Sequence, residues 1–212
     1  MKPADYDILV VGGGIAGLAF ARLLDVATAA RLREPLRMAV LEARPPEVLP
    51  AGAETGLRVF AIAAAGREVL EACGAWQAVP AARISPYERM RVWHEGSTPT
   101  GPGSIAFDSA EAGVSNLGHI VEHDWVRRAL WDVLAGPPGS DAGNIDLLTG
   151  QSPLSLRQEP DAMVIRLADD RELRSRLVVG ADGADSWVRT QLAVPTMKRD
   201  YHQLALVGHV GT

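Results

Sequence analysis

The sequence predicts an α/β domain built on a parallel sheet, with a mostly β insertion. Three observations lead there. An apolar β-branched run near the N-terminus passes through a glycine-rich turn into an apolar helix, and a second apolar run follows that helix. Short strand-like segments separated by turn residues fill the middle of the chain. A further strand, glycine turn and helix then follow around residue 180.

In chain order, Asp7 to Gly12 reads as a buried strand, because β-branched residues run together without alternation. The next helix is expected from Ile15 to about Leu32. Its first turns are apolar almost all round, and Arg22 and Asp25 are its first polar residues, which suits a helix whose start is buried against a sheet. Met38 to Leu41 is a second buried strand ending at Glu42, and Arg44 to Gly56 is a Pro-, Ala- and Gly-rich loop. Ile62 to Cys73 reads as a helix stopped by Gly74.

Met90 to Trp93, Ile105 to Phe107 and Leu117 to Val121 read as short strands. Asp124 is the expected cap of a helix with an apolar face of Val126, Ala129, Leu130, Val133 and Leu134, ended by Gly136-Pro137-Pro138. Ile145 to Leu148 is a strand, and Met163 to Leu167 and Leu173 to Val179 form a hairpin around Asp169-Asp170. Trp187 to Leu192 is a short helix before Pro195, and Leu204 to Val210 a final strand.

Composition narrows the function. With 212 residues and 47% of them hydrophobic, the chain can bury a sizeable core. A net charge of −5 and the lack of a basic run give no field for holding nucleic acid. The lone Cys73 excludes an internal disulfide framework and fits a reducing compartment. The apolar stretch from Ile8 to Ala21 is too short for a membrane span, and its position behind acidic residues does not suit a signal peptide. The expectation is a soluble cytoplasmic protein.

The sharpest motif is Gly12-Gly13-Gly14-Ile15-Ala16-Gly17, a G-x-G-x-x-G between strand and helix. In such a motif Gly12 permits the tight turn, Gly14 lets backbone approach a pyrophosphate, and Gly17 lets helix and strand pack closely. The helix-start amides and dipole then favour negative charge. A glycine-rich turn with no ligand is the plainer alternative. Glu42, at the end of the second strand, can accept hydrogen bonds from the hydroxyls of an adenosine ribose. It lies farther from the glycines than the usual spacing of about 20 residues, which demands a long first helix or exit loop. A carboxylate there repels a 2′-phosphate, favouring FAD or NAD over NADP; a solvated strand-end carboxylate is the other reading.

A second motif, VGADGADSWVR (179–189), places Asp182 and Gly183 after an apolar strand and before a helix. His119-Ile120-Val121-Glu122-His123 matches H-x-x-E-H, an inverted zinc-protease pattern. That chemistry needs a helix; on a strand the two histidines stand roughly 13 Å apart, too far to share a zinc ion. No metal site is expected. Cys73 lies on an apolar helix face and reads as core rather than nucleophile. No serine-hydrolase elbow or phosphate-loop lysine motif is present.

With both glycine motifs placed, the chain resembles the flavin-dependent aromatic hydroxylases, and within them the ubiquinone-biosynthesis hydroxylases, which act on polyprenylated phenols. DILVVGGGIAGLAFA (7–21) and RLVVGADGADSWVR (176–189) are similar to motifs of the broader superfamily. GLRVFAIAAAGREVLEACGAW (56–76), SPYERMRVW (85–93) and LGHIVEHDWVRRALW (117–131) are similar to the ubiquinone branch. The resemblance implies a Rossmann-like FAD-binding domain over residues 1–195, discontinuous and truncated, with a β-rich segment at about 86–122. Residues 196–212 would begin a substrate-binding β-sheet domain, so the expectation is the N-terminal part of a longer enzyme.

It also implies roles. Gly12, Gly14 and Gly17 would hold the FAD pyrophosphate and Glu42 the adenosine ribose. Arg58 would lie beside the cofactor, Arg127 would be a second contact, and Asp182 would touch the ribityl–phosphate region. NAD(P)H would reduce the flavin, which would then use oxygen to hydroxylate an electron-rich ring, with no side chain named as acid, base or nucleophile. The substrate would be a prenylated phenol, and peripheral association with the inner membrane or with a biosynthetic complex is compatible with it. Two positions depart from the family pattern: Gly56, where an acidic residue is frequent, and His123, where Asn is frequent. A flavin reductase or halogenase, and a non-catalytic flavoprotein module, are the alternatives.

Overall fold

A computed structural model describes residues 3–29, 31–50, 52–136 and 145–209. The chain begins with β1 (Tyr6–Val11), α1 (Ile15–Ala29) and β2 (Met38–Glu42). β3 (Val59–Ile62), α2 (Ala64–Ala72), β4 (Ile84–Tyr87), β5 (Arg89–Val92), β6 (Ile105–Asp108) and β7 (Gly118–Glu122) follow. The last elements are α3 (His123–Ala135), β8 (Ile145–Thr149), β9 (Pro153–Gln158), β10 (Met163–Leu167), β11 (Glu172–Gly180) and α4 (Trp187–Gln191).

The main sheet has the order β8-β2-β1-β11-β10-β9. Its first four strands are parallel, as expected, and β10 pairs antiparallel with both β11 and β9. The sheet is therefore mixed rather than wholly parallel. The tight turn through Asp170, at φ +67°, joins β10 to β11, and a connection this short can only make antiparallel neighbours.

Alternate residues of β1 and β2 feed two cores, which is why both strands read as unbroken apolar runs. On one face Val10, Met38 and Val40 pack with Leu18 and Ala21 of α1 and with Val126, Leu130 and Leu134 of α3. On the other, Leu9, Val11, Ala39 and Leu41 meet Ile165, Leu167, Leu173 and Val188. Cys73 is 1% exposed, and burial pushes its thiol pKa up, so it is core.

A smaller sheet, β3-β7-β4, and the β5–β6 hairpin form the β-rich segment. Several boundaries differ from expectation, α1 among them, which ends at Ala29 rather than near Leu32. Ile62 ends a strand instead of opening a helix, because Val59–Ile62 pairs antiparallel with β7 and that pairing claims the β-branched run. Asp124 lies in the first turn of α3 and does not cap it; the extended flanking residue is Glu122. Gly136, at φ +68°, ends α3, while Pro137 and Pro138 lie outside the described residues. Gly74, at φ +76°, follows α2 as expected.

No strand forms over residues 204–209, and Val210 lies outside the described residues. Leu204 and Leu206 are almost fully exposed. The run pairs with none of the described strands, and a lone strand cannot satisfy its backbone groups.

Tight packing of α1 on β1 depends on Gly17, where a Cβ would lie 2.0 Å from the Gly12 carbonyl oxygen. Gly17→Ala is expected to cost about 1–3 kcal/mol of unfolding free energy, measured by urea denaturation.

Candidate functional site

Three turns meet at the carboxyl ends of adjacent parallel strands. The β1–α1 turn lies between the end of β2 and the β11–α4 turn, tied to each by backbone: Gly12 N donates to Leu41 O at 2.9 Å, and Ala181 N donates to Val11 O at 2.7 Å. Gly12 has φ +110°, and a Cβ there would sit 2.5 Å from Ala181 O and 2.8 Å from the Asp182 Cα. Only glycine fits so close a crossing of two backbones.

Gly14 contrasts with its neighbours. A Cβ on Gly14 would meet no protein atom within 4 Å. Nothing inside the chain requires glycine at that position, and it opens α1, whose first turn carries no acidic residue. The first amides of a helix have no partner within the helix, so this terminus presents donors and a positive dipole end together.

Gly13 is held from both sides. Its N–H donates to Glu42 Oε2 at 2.7 Å, and its carbonyl accepts from Arg127 Nε at 2.9 Å. Arg127 Nη2 also donates to Arg44 O at 2.6 Å and lies 3.5 Å from Glu42 Oε2. Glu42 Oε1 accepts from Arg44 N at 2.9 Å. A Cβ on Gly13 would lie 2.8 Å from the Glu42 Cβ, so the middle glycine is also required sterically. A cleft of about 440 Å³ opens beside this network, lined by Glu42, Arg44, Pro45, Pro46, Glu47, Leu49, Asp124 and Arg127. On another flank of the α1 start, Ile15, Ala16, Phe60, Ile62 and Val126 wall an apolar groove of about 540 Å³.

The sequence-predicted residues therefore divide. Gly12, Gly14, Gly17, Glu42 and Arg127 come together. The Arg58 side chain is exposed with its guanidinium 5.6 Å from the Phe60 ring centre, outside the cleft lining, although its carbonyl accepts from His123 N at the start of α3. The Asp182 backbone borders Gly12, but its carboxylate serves α4: Oδ1 accepts from Ser186 Oγ at 2.6 Å and Oδ2 from Val188 N at 3.0 Å. Sequence reading missed Gly13 and the Arg44 backbone, and only the unusual triple glycine pointed to the first.

The H-x-x-E-H residues are separated by the β7–α3 junction. His119, on β7, packs edge-on against Trp76 at 5.3 Å, and His123, on α3, meets Asp124 Oδ1 at 2.6 Å. Burial, reinforced by the Arg67 charge, lowers the His119 pKa, and its Nδ1 is buried without a partner.

No family model matches the chain. Among curated proteins it is 31% identical over 201 residues to the 3-demethoxyubiquinol 3-hydroxylase of Escherichia coli, covering 95% of this chain and 47% of that one. It is 29% identical to the ubiquinone biosynthesis monooxygenase COQ6 of Xenopus tropicalis, over 97% of this chain and 43% of the relative. The ubiquinone hydroxylase UbiL of Rhodospirillum rubrum is 31% identical over 95% of this chain and 42% of its own length. The chain thus spans less than half the length of the curated relatives it matches. Among solved structures, PqsL of Pseudomonas aeruginosa, a probable FAD-dependent monooxygenase, superposes with TM-score 0.64 at 26% identity, over 92% of this chain and 48% of that one. Aklavinone-11 hydroxylase, solved with FAD and aklavinone, shares the fold at TM-score 0.61 and 23% identity, over 91% of this chain and 36% of that one. The expected resemblance to ubiquinone-biosynthesis hydroxylases is met by these relatives over nearly the whole of this chain.

Two predictions follow from this geometry. Arg127→Met removes two charge-assisted hydrogen bonds and the partner of Glu42, and is expected to cost about 2 kcal/mol of stability, read by urea denaturation. Burial lowers the pKa of His119 in the folded chain, whereas an unfolded histidine takes a proton near pH 6.5. Protons therefore favour the unfolded chain, and stability falls as pH drops below about 6.5. His119→Gln is expected to lose that part of the acid sensitivity, measured as the change in unfolding midpoint between neutral and mildly acidic buffer.

Proposed function

We propose that this chain is the FAD-holding, Rossmann-like part of an aromatic hydroxylase that acts on a prenylated phenol in ubiquinone biosynthesis, using NAD(P)H and oxygen. The observation that carries the reading is Gly14: its missing side chain relieves no contact within the protein, yet it opens the helix whose first amides have no partner within the helix. A pyrophosphate brought against that backbone gives the glycine a purpose. The names of the relatives supply the reaction class.

In this reading the α1 amides and dipole bind the pyrophosphate, while Gly12 and Gly17 make the turn tight enough to aim them. Glu42 receives the adenosine ribose hydroxyls at the edge of the cleft. Each of its oxygens already accepts one backbone N–H, which fixes the carboxylate and leaves lone pairs for the ribose. Its charge disfavours a 2′-phosphate in this site. Arg127 holds Gly13 and Glu42 in register, Arg58 supplies a further cation beside the phosphates, and Asp182 steadies the turn against Gly12 through α4. Bound FAD would carry electrons from the reduced nicotinamide to oxygen for hydroxylation of the ring. The protein's share is to bind, orient and exclude water.

Residues 1–195 form the cofactor-holding unit in this proposal, and 196–212 lead toward the substrate-binding part. A cytoplasmic enzyme meeting a prenylated substrate at the inner-membrane surface fits the absence, among the described residues, of a helix long and apolar enough to cross a membrane.

FAD titration followed by flavin fluorescence tests the reading. Wild type is expected to bind. Gly14→Val is expected to lose binding while keeping its circular dichroism, because the side chain enters the pyrophosphate path and touches no protein atom at Cβ. Unchanged flavin affinity in that variant would overturn the assignment.

A further inference from the structure

We infer that Glu122 is a positioning residue that sets Arg58 for the cofactor, acting through the backbone of the loop before β3; this rests on the FAD reading above. The described residues between Glu42 and Val59 form no helix or strand, so the path of the loop depends on bonds from elsewhere. Glu122, only 8% exposed, ends β7. Its Oε2 accepts from Gly56 N at 2.7 Å, and its Oε1 accepts from Arg83 Nη1 at 3.0 Å. Arg83, from the short turn Ala81–Arg83, donates through Nη2 to Ala53 O at 2.5 Å and stacks over Trp125. The adjoining His123 N donates to Arg58 O at 2.9 Å.

Residues 53, 56 and 58 are thus pinned by 83, 122 and 123, around the junction where β7 passes into α3. The same helix carries Arg127 to Gly13 and Arg44. One rigid junction therefore registers the Arg58 loop against the glycine turn.

A buried ion pair is a poor device for stability alone, since desolvation of both charges offsets their attraction. What this pair provides is an aimed acceptor for one loop amide and an aimed donor for a loop carbonyl. Gly56 suits the arrangement: a Cβ there would already lie 3.4 Å from Glu122 Oε2, and an acidic side chain would bring a second carboxylate against the first.

The test is a double-mutant cycle in FAD affinity with Glu122→Gln and Arg58→Ala, each variant's unfolding midpoint being recorded alongside. If Glu122 acts through Arg58, Glu122→Gln weakens FAD binding about tenfold in the wild-type background and by less than about twofold once Arg58 is removed. Equal weakening in both backgrounds means a general structural role and overturns the inference, while leaving the FAD reading intact. A wild-type chain that binds no FAD overturns both. Should Glu122→Gln fail to fold, Glu122→Asp keeps the charge opposite Arg83 but shortens the reach to Gly56, and the same cycle is read with it.

Discussion

A methyl on Gly17 would sit 2.0 Å from the Gly12 carbonyl oxygen, and one on Gly12 would sit 2.5 Å from that of Ala181. The whole arrangement depends on this contact between three backbones. It lets α1 lie directly on β1, and it lets the turns after β1 and β11 emerge side by side. It also leaves the end of β2 free to present Glu42 to Gly13. Widening any of these crossings by a side chain would separate the first amides of α1 from the carboxylate and guanidinium beside them.

Charge placement then builds on steric closeness. Glu42 and Arg127 are both mostly buried, and their mutual attraction is modest at 3.5 Å. Their value is that each side chain spends its hydrogen bonds on backbone groups of the two loops at the strand ends. Both ends of the Gly13 peptide environment are thereby fixed, while the neighbouring Gly14 faces open space. A rigid turn beside an open one is the organisation that a phosphate-bearing ligand exploits, because little ordering remains to be done on binding.

Much of this was legible in the sequence. β1, α1, β2 and α3 carry apolar patterns dictated by one- or two-sided burial, and the β10–β11 hairpin is marked by its Asp-Asp turn. The glycines and Glu42 could be placed because their spacing relative to strand and helix has a steric meaning. β3, β4 and β9 were not legible: they are short, partly exposed, and exist through pairing with β7 or β10 rather than through a pattern of their own. The run at 204–209 shows the converse, a strand-like pattern that pairs with no described strand. Side-chain partners were hidden for the same reason. Nothing local reveals that Asp182 turns into α4, or that Glu122, in a segment that mimics a zinc motif, holds the loop before β3.

The central claim, that the open start of α1 is a pyrophosphate site, is tested most directly by following the backbone amides of Gly14, Ile15 and Ala16 in NMR titrations with FAD, ADP and riboflavin. The account predicts that FAD and ADP shift all three amides, and that riboflavin, which lacks the pyrophosphate and the adenosine, leaves them in place. FAD that binds without moving these amides, or riboflavin that moves them equally, would contradict it.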